Sequence, residues 1–177
     1  MKKIFLILSS LFLAFATVNA QETKWGFDKT HSKIQFDVAH MVISEVSGQF
    51  QEYEGTVTTS TEDFSDAKID FSIDVKSIDT DNGDRDKHLR SPDFFDVEQY
   101  PKIIFKSTKM KKVGKNQYKL TGNFTLHGVT KEITLDAKYG GTVKDPYGNV
   151  KAGFKITGVT NRTDFGLKYN SVMDSGG

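Results

Sequence analysis

The amino-acid sequence predicts an all-β domain, an antiparallel barrel of about eight strands carrying one or two short helices. Three observations predict it. Apolar and polar residues alternate with period two along several segments, which places every second side chain on one face of a sheet. Turn-forming residues separate those segments, and each run has one wet and one apolar face, as antiparallel sheets do. No strand–helix–strand alternation and no internal repeat interrupts the pattern.

The first clear run sets Ile34, Phe36 and Val38 against Lys33, Gln35 and Asp37. Gly55-Thr56-Val57-Thr58-Thr59 is a weaker strand candidate, followed by the acidic loop Thr61-Glu62-Asp63. Ile69, Phe71, Ile73 and Val75 then alternate with Asp70, Ser72, Asp74 and Lys76. Tyr118, Leu120, Phe124 and Leu126 share a parity, with Gly122 among them. Ile133, Leu135, Ala137 and Tyr139 form the next run, and Val150, Ala152, Phe154 and Ile156 the last. Gly114-Lys115-Asn116, His127-Gly128 and Asp145 to Asn149 supply turns. The lysines at 106, 109, 111, 112 and 115 read as a solvated hairpin rather than a binding patch.

Between Ile78 and Ile103 the alternation stops. Asp84 can cap a short helix reaching Arg90, and Ser91-Pro92 resembles a second cap with proline at the first helical position. His40 to Val46 reads as a helical turn between strands. A meander of this many strands hides its edges by closing into a barrel. Eight strands leave an interior filled by side chains or holding one small ligand, and the inward residues, many of them Phe or Ile, suit either.

Met1-Lys2-Lys3, the apolar run Ile4 to Val18 and the small residues ending at Ala20 form the pattern of a cleaved export signal over residues 1–20. The run is short of the roughly 20 residues a spanning helix needs. The expected mature domain is 21–177, periplasmic or secreted. Across 177 residues, 24 Lys and Arg oppose 23 Asp and Glu, a balance that gives no reason to expect nucleic acid as a partner. With no cysteine, disulfides, thiolate chemistry and lipid attachment at a mature N-terminal cysteine are excluded. The four histidines lack metal-type spacing, and neither a Gly-x-Ser-x-Gly elbow nor a glycine-rich phosphate loop occurs. The sequence therefore offers no metal site, no cofactor and no catalytic residue.

Four stretches carry a resemblance to a known family. They are His31 to Val38 with His40-Met41 and Gly48-Gln49-Phe50; Ser77-Ile78-Asp79-Thr80 with Arg85 to Leu89; Asp93-Phe94-Phe95-Asp96 with Tyr100-Pro101 and Phe105-Lys106; and Gly122 to Thr130 with Asn161 to Gly166. In this order they resemble the YceI-like family of polyisoprenoid-binding proteins. The resemblance implies a lipocalin-like, extended barrel with a long apolar tunnel for an isoprenoid or similar chain, in a typically periplasmic protein without a known catalytic group. The family continues past the region of Tyr169 into one more strand, whereas this sequence stops at Gly177. The closing strand is thus expected to be missing and the chain to be a fragment.

On this reading the tunnel lining is Phe36, Val38, Phe71, Ile73, Phe105, Leu120, Phe124, Leu135, Phe154 and Ile156. Simple core packing is the alternative for each. Arg85, Asp86 and His88, with Phe94 and Phe95, are the candidate mouth that meets a lipid head group, or else they cap and anchor the helix. Arg162 and Asp164 read as a structural pair, and Trp25 as the plug of one barrel end. The expected partner is a long-chain lipid: a polyisoprenoid, a quinone-like molecule or a fatty-acyl chain. A transient membrane contact and a homodimer are both compatible with that. The rival readings are an interaction module with a filled barrel and a lipid-modifying enzyme using the Arg85–His88 face.

Overall fold

A computed structural model describes residues 21–40 and 44–169. The expected antiparallel barrel takes the form of a strongly curled half-barrel. Its main sheet has seven strands: β1 (Thr23–Gly26), β4 (Tyr53–Thr59), β5 (Lys68–Asp74), β7 (Lys102–Gly114), β8 (Gln117–Leu126), β9 (Val129–Lys144) and β10 (Val150–Thr157). They are hydrogen-bonded in the order β1-β4-β5-β7-β8-β9-β10, every pair antiparallel. A smaller sheet pairs β2 (Ile34–His40) with β3 (Ser44–Phe50), and β3 with the two-residue β6 (Ile78–Asp79).

Register confirms that the apolar parities share one face. Trp25 opposes Val57, Val57 opposes Ile69, Phe71 opposes Phe105 and Phe105 opposes Phe124. On the same face, toward the β10 edge, Leu120 opposes Leu135 and Tyr139 opposes Phe154. The rings in this inner face need backbone to lie against, and two glycines provide it. A Cβ at Gly122 would stand 2.6 Å from the Phe105 ring and from the carbonyl of Lys106, and one at Gly55 2.6 Å from the carbonyl of Asp70. Gly122→Ala is therefore expected to destabilise by about 1–3 kcal/mol, the usual cost of overpacking. A denaturant midpoint at or above wild type would show that the Phe105 ring has somewhere else to go.

Two cores form beneath the inner face. One gathers Phe50, Tyr53, Ile73, Val75, Ile78, Val97, Ile103, Leu126, Phe165 and Leu167; the other holds Phe105, Tyr118, Leu120 and Ala137. The first closes the end of the half-barrel that carries the helix α1 (Gly83–Arg90). The second lies toward the opposite end.

Several local expectations are corrected. Asn82, not Asp84, caps α1, its side chain accepting from the Arg85 N–H at 3.0 Å. Ser91-Pro92 opens a series of turns, so one α-helix is present among the described residues. Ser44 to Val46 extend as part of β3, because they complete the β2 ladder: Val38 opposes Val46 and His40 opposes Ser44. The rest of the proposed turn, Met41 to Ile43, lies outside the described residues, as do the export signal and the chain beyond Tyr169. Val75 leaves the strand for a 3₁₀ turn, Val75–Ser77, capped by the Asp74 carboxylate. Arg162 and Asp164 do not pair: Arg162 Nη1 donates to the Leu167 carbonyl at 2.7 Å, and Asp164 lies 3.8 Å from Lys131 Nζ.

Candidate functional site

The inner face of the half-barrel is the candidate site. Strand curl decides which of its side chains are covered. Ile73, Phe105 and Leu120, on the middle strands, are 7%, 7% and 1% exposed and pack within the two cores. Phe36, Phe71, Phe124 and Leu135 are half-buried above them. Val38, Phe154 and Ile156 are 43%, 37% and 44% exposed. Of the ten expected lining residues, three thus form the packed floor, and seven leave apolar surface partly open. Ile69, Met110, Ile133 and Tyr139 share the half-buried layer and were not among the expected lining, although parity marks Ile69, Ile133 and Tyr139; Met110 comes to that face through the irregularity between Ser107 and Lys109. Contiguous apolar surface left open on a protein marks a binding site. The ten residues of β8, at about 3.3 Å each, give this face a span of about 33 Å along the strand.

The helix end offers less. Asp86 is 6% exposed and accepts from the Thr80 N–H at 3.0 Å and the Thr80 hydroxyl at 2.6 Å. Arg85 donates through Nε to the Thr80 hydroxyl and through Nη2 to the Thr80 carbonyl, at 2.8 and 2.6 Å. Arg90 reaches the carbonyls of Lys76 and Ile78. These charged groups stitch α1 to the strand before it. His88 sits 3.2 Å from Asp93 and edge-on to the rings of Phe94 and Tyr169, both 5.0 Å away. Phe95 turns inward to Phe50 at 6.2 Å. The five candidate mouth residues therefore divide into a polar clamp on Thr80, an aromatic cluster around His88, and an anchor. Asp86→Ala is expected to cost about 1–3 kcal/mol, because it strands two donors on buried Thr80. Unchanged thermal stability would mean that water replaces the carboxylate.

The opposite end holds a feature not anticipated from sequence. Phe64, in the loop after β4, is 3% exposed and has a φ of 61°, a left-handed conformation rare for so bulky a residue. Its ring meets Trp25 at 5.2 Å, Tyr139 at 5.5 Å and Phe154 at 5.0 Å. Phe64 thereby joins β1 and β10, the two outermost strands of the sheet. A second link runs the same way: Lys151 Nζ lies 2.8 Å from Asp28, whose carboxyl is held far below the usual range by that ammonium and by Thr30 and His31. Beside the ring cluster is a cavity of about 460 Å³ lined by Thr23, Trp25, Thr59 to Glu62, Phe64, Tyr139, Thr142 and Val150. The only sequence signal was a lone phenylalanine inside a polar loop.

That loop is tied down by Asp66. Its carboxylate accepts from the hydroxyls of Ser60 and Thr59, and from the Ser60 N–H and Thr61 hydroxyl. The same bonds, Ser60 foremost, hold the Asp66 carboxyl well below the usual range. A depressed folded value means the contribution is complete above the unfolded value of about 4 and is lost as pH falls through the folded one. Emission from Trp25 is expected to be constant from neutral pH to about 4 and to shift only in stronger acid. A shift centred between pH 5 and 7 would contradict this assignment.

Comparison with known proteins agrees with this architecture. A model of the YceI-like domain matches residues 25–176. A UPF0312 protein of Pectobacterium atrosepticum is 38% identical over 169 residues, covering 94% of this chain and 88% of the relative. Protein YceI of Salmonella newport gives the same figures. Among solved structures, the Campylobacter jejuni YceI protein aligns with a TM-score of 0.65 at 36% identity, over 80% of this chain and 83% of that one. A polyisoprenoid binding domain from Saccharophagus degradans shares the fold at 20% identity and a TM-score of 0.50, over 64% of this chain and 66% of that domain. The chain belongs to the YceI-like family.

Proposed function

We propose that this protein is a non-catalytic carrier or sequestering protein for a long apolar lipid, a polyisoprenoid, quinone-like or fatty-acyl chain, acting in the bacterial cell envelope. The carrying observation is the set of half-exposed apolar side chains that the main sheet leaves on its inner face, from Phe71 and Phe124 to Leu135, Phe154 and Ile156, with Phe36 of β2 packed against the same core. A hydrocarbon laid on that row loses water from both surfaces, worth up to about 0.8 kcal/mol per methylene before ordering and association costs. Family membership supports the same reading, as does the shared fold of the Saccharophagus polyisoprenoid binding domain.

The enzymatic alternative has less support. It needs Arg85 and His88 to face a substrate, yet two of the Arg85 donors are taken by Thr80 and His88 Nε2 is engaged with Asp93. The interaction-module alternative needs a filled interior, and the open apolar layer argues against it. Native mass spectrometry of the purified protein, before and after organic extraction, tests the proposal. A bound lipid that extraction removes and added isoprenoid restores is the expected result. Protein that carries no lipid and takes none up would refute the carrier reading.

A further inference from the structure

Lysines remote from one another in sequence meet on the outer face of the sheet. Three rows of register partners run side by side there: Lys109–Thr121–Thr134, Lys111–Lys119–Asp136–Thr157, and Gln117–Lys138–Lys155. With strands about 4.8 Å apart and rows about 7 Å apart, they form a patch about 14 Å across. Asp136 is the single acid in the three rows, and Lys119 takes it at 2.7 Å. Among the described residues, no carboxylate comes within ion-pair distance of Lys109, Lys111, Lys138 or Lys155, all of them exposed. The run of hairpin lysines therefore divides. Lys106 and Lys112 turn to Asp70 and Asp63, whereas Lys109 and Lys111 join lysines from β9 and β10. Four uncompensated charges spread over less than two Debye lengths, each about 8 Å, act together on whatever approaches them.

Two further features narrow the partner. Lys138 and Lys155 line a cavity of about 320 Å³ together with Gln117, Thr157 and Val113, beside the Asp136 that Lys119 holds. Two ammonium groups next to an amide and a hydroxyl fit the phosphate of a phospholipid head. Apolar groups adjoin the charges. Val113 is 51% exposed. Along β10 the outer face continues through Gly153 to Lys151, which opposes Val143, 64% exposed, and the turn beyond carries Tyr147 at 90%. Past Tyr139, β9 is laddered with β10 alone, so this end of the hairpin extends beyond β8. A soluble polyanion would use the lysines and leave Val113, Val143 and Tyr147 in water. A bilayer uses both kinds of group, since ammonium groups settle among anionic heads while aliphatic groups and amphipathic rings enter the interface.

We infer that this face docks on an anionic phospholipid membrane, with Lys109, Lys111, Lys138 and Lys155 on the lipid phosphates and the β9–β10 hairpin tip in the head-group layer. The docking goes beyond the carrier reading and is scored on the protein itself, whatever the inner face holds.

The full chain would be floated with vesicles made of equal parts phosphatidylcholine and phosphatidylglycerol, and with vesicles of phosphatidylcholine alone. Binding to the mixed vesicles is expected to be at least tenfold stronger, and to fall as salt is raised from about 0.05 to about 0.5 M. A lysine at such a surface contributes a factor of about five. Lys138→Glu/Lys155→Glu should therefore weaken binding on the order of thirtyfold. Lys33→Glu/Lys87→Glu makes the same change in net charge at exposed sites before β2 and on α1, and should weaken it less than about threefold. Val143→Ser/Tyr147→Ser should lower affinity for mixed vesicles about tenfold and leave any binding of inorganic polyphosphate unmoved. Equal binding to the two kinds of vesicle, equal weakening by the two lysine double variants, or a tip variant that binds mixed vesicles as wild type does would each overturn the docking. Lipid retention, read separately by native mass spectrometry, decides the carrier reading; its absence would remove that reading and leave vesicle binding as direct support for the docking.

Discussion

Val38→Asp combined with Ile156→Asp is expected to reduce lipid retention on the order of a hundredfold while leaving the fold intact. The two side chains are 43% and 44% exposed, so in the lipid-free protein both carboxylates reach water. Substitutions at such sites usually change stability by no more than about 0.5 kcal/mol. A bound hydrocarbon would cover them, and an unpaired carboxylate loses several kcal/mol when it is cut off from water. Every 1.4 kcal/mol is a factor of ten in affinity, and some residual hydration of each acid lowers the net effect to the figure given. Lipid stoichiometry by native mass spectrometry and the thermal midpoint should be read together. Retention equal to wild type with an unchanged midpoint would place the lipid elsewhere.

Phe165→Ala should produce the largest loss of stability, about 3–5 kcal/mol. The side chain is 2% exposed, meets Phe124 edge-to-face at 5.4 Å, and has Lys131 Nζ 5.8 Å above its ring. Its position is set by the 3₁₀ turn Arg162–Phe165, which Gly166 ends with a φ of 83°. Deleting the ring empties the end of the half-barrel where three segments meet, and the backbone there cannot collapse because the turn is bonded at both ends. Against a total stability of 5–15 kcal/mol typical of single domains, this is a large fraction. An unfolding free energy from urea titration within about 1 kcal/mol of wild type would mean that the neighbouring side chains repack into the space.

Strand parity was legible in the sequence because it depends only on local alternation. β5, β8, β9 and β10 fall where Ile69–Ile73, Tyr118–Leu126, Ile133–Tyr139 and Val150–Ile156 alternate. Depth was not legible. Leu120 and Ile156 have the same pattern around them, yet one is 1% and the other 44% exposed, because burial of an inner-face residue depends on what the curl of the sheet brings over it. Ser44 to Val46 escaped for a related reason: their partner strand, not their own sequence, makes them extended. Phe64 could not be found at all, since a left-handed aromatic inside a polar loop contradicts every local preference and is held there by rings from β1, β9 and β10 and by the hydrogen bonds of its own loop. The four motif stretches carried the family, but they drew attention to the helix end, where the structure shows the charged residues already paired.

The outer wall of the sheet has a consequence for how the protein meets its ligand. Lys106 lies 3.4 Å from Asp70, Lys119 2.7 Å from Asp136 and Lys102 2.9 Å from Glu54, each pair bridging neighbouring or next-neighbouring strands in full contact with solvent. Such pairs add little to stability. They do cancel one another at short range, so beyond a Debye length of about 8 Å in physiological salt these three pairs project almost no field. A greasy, uncharged molecule gains nothing from an electrostatic funnel, and its encounters with the protein should keep the same pace in dilute buffer and in brine.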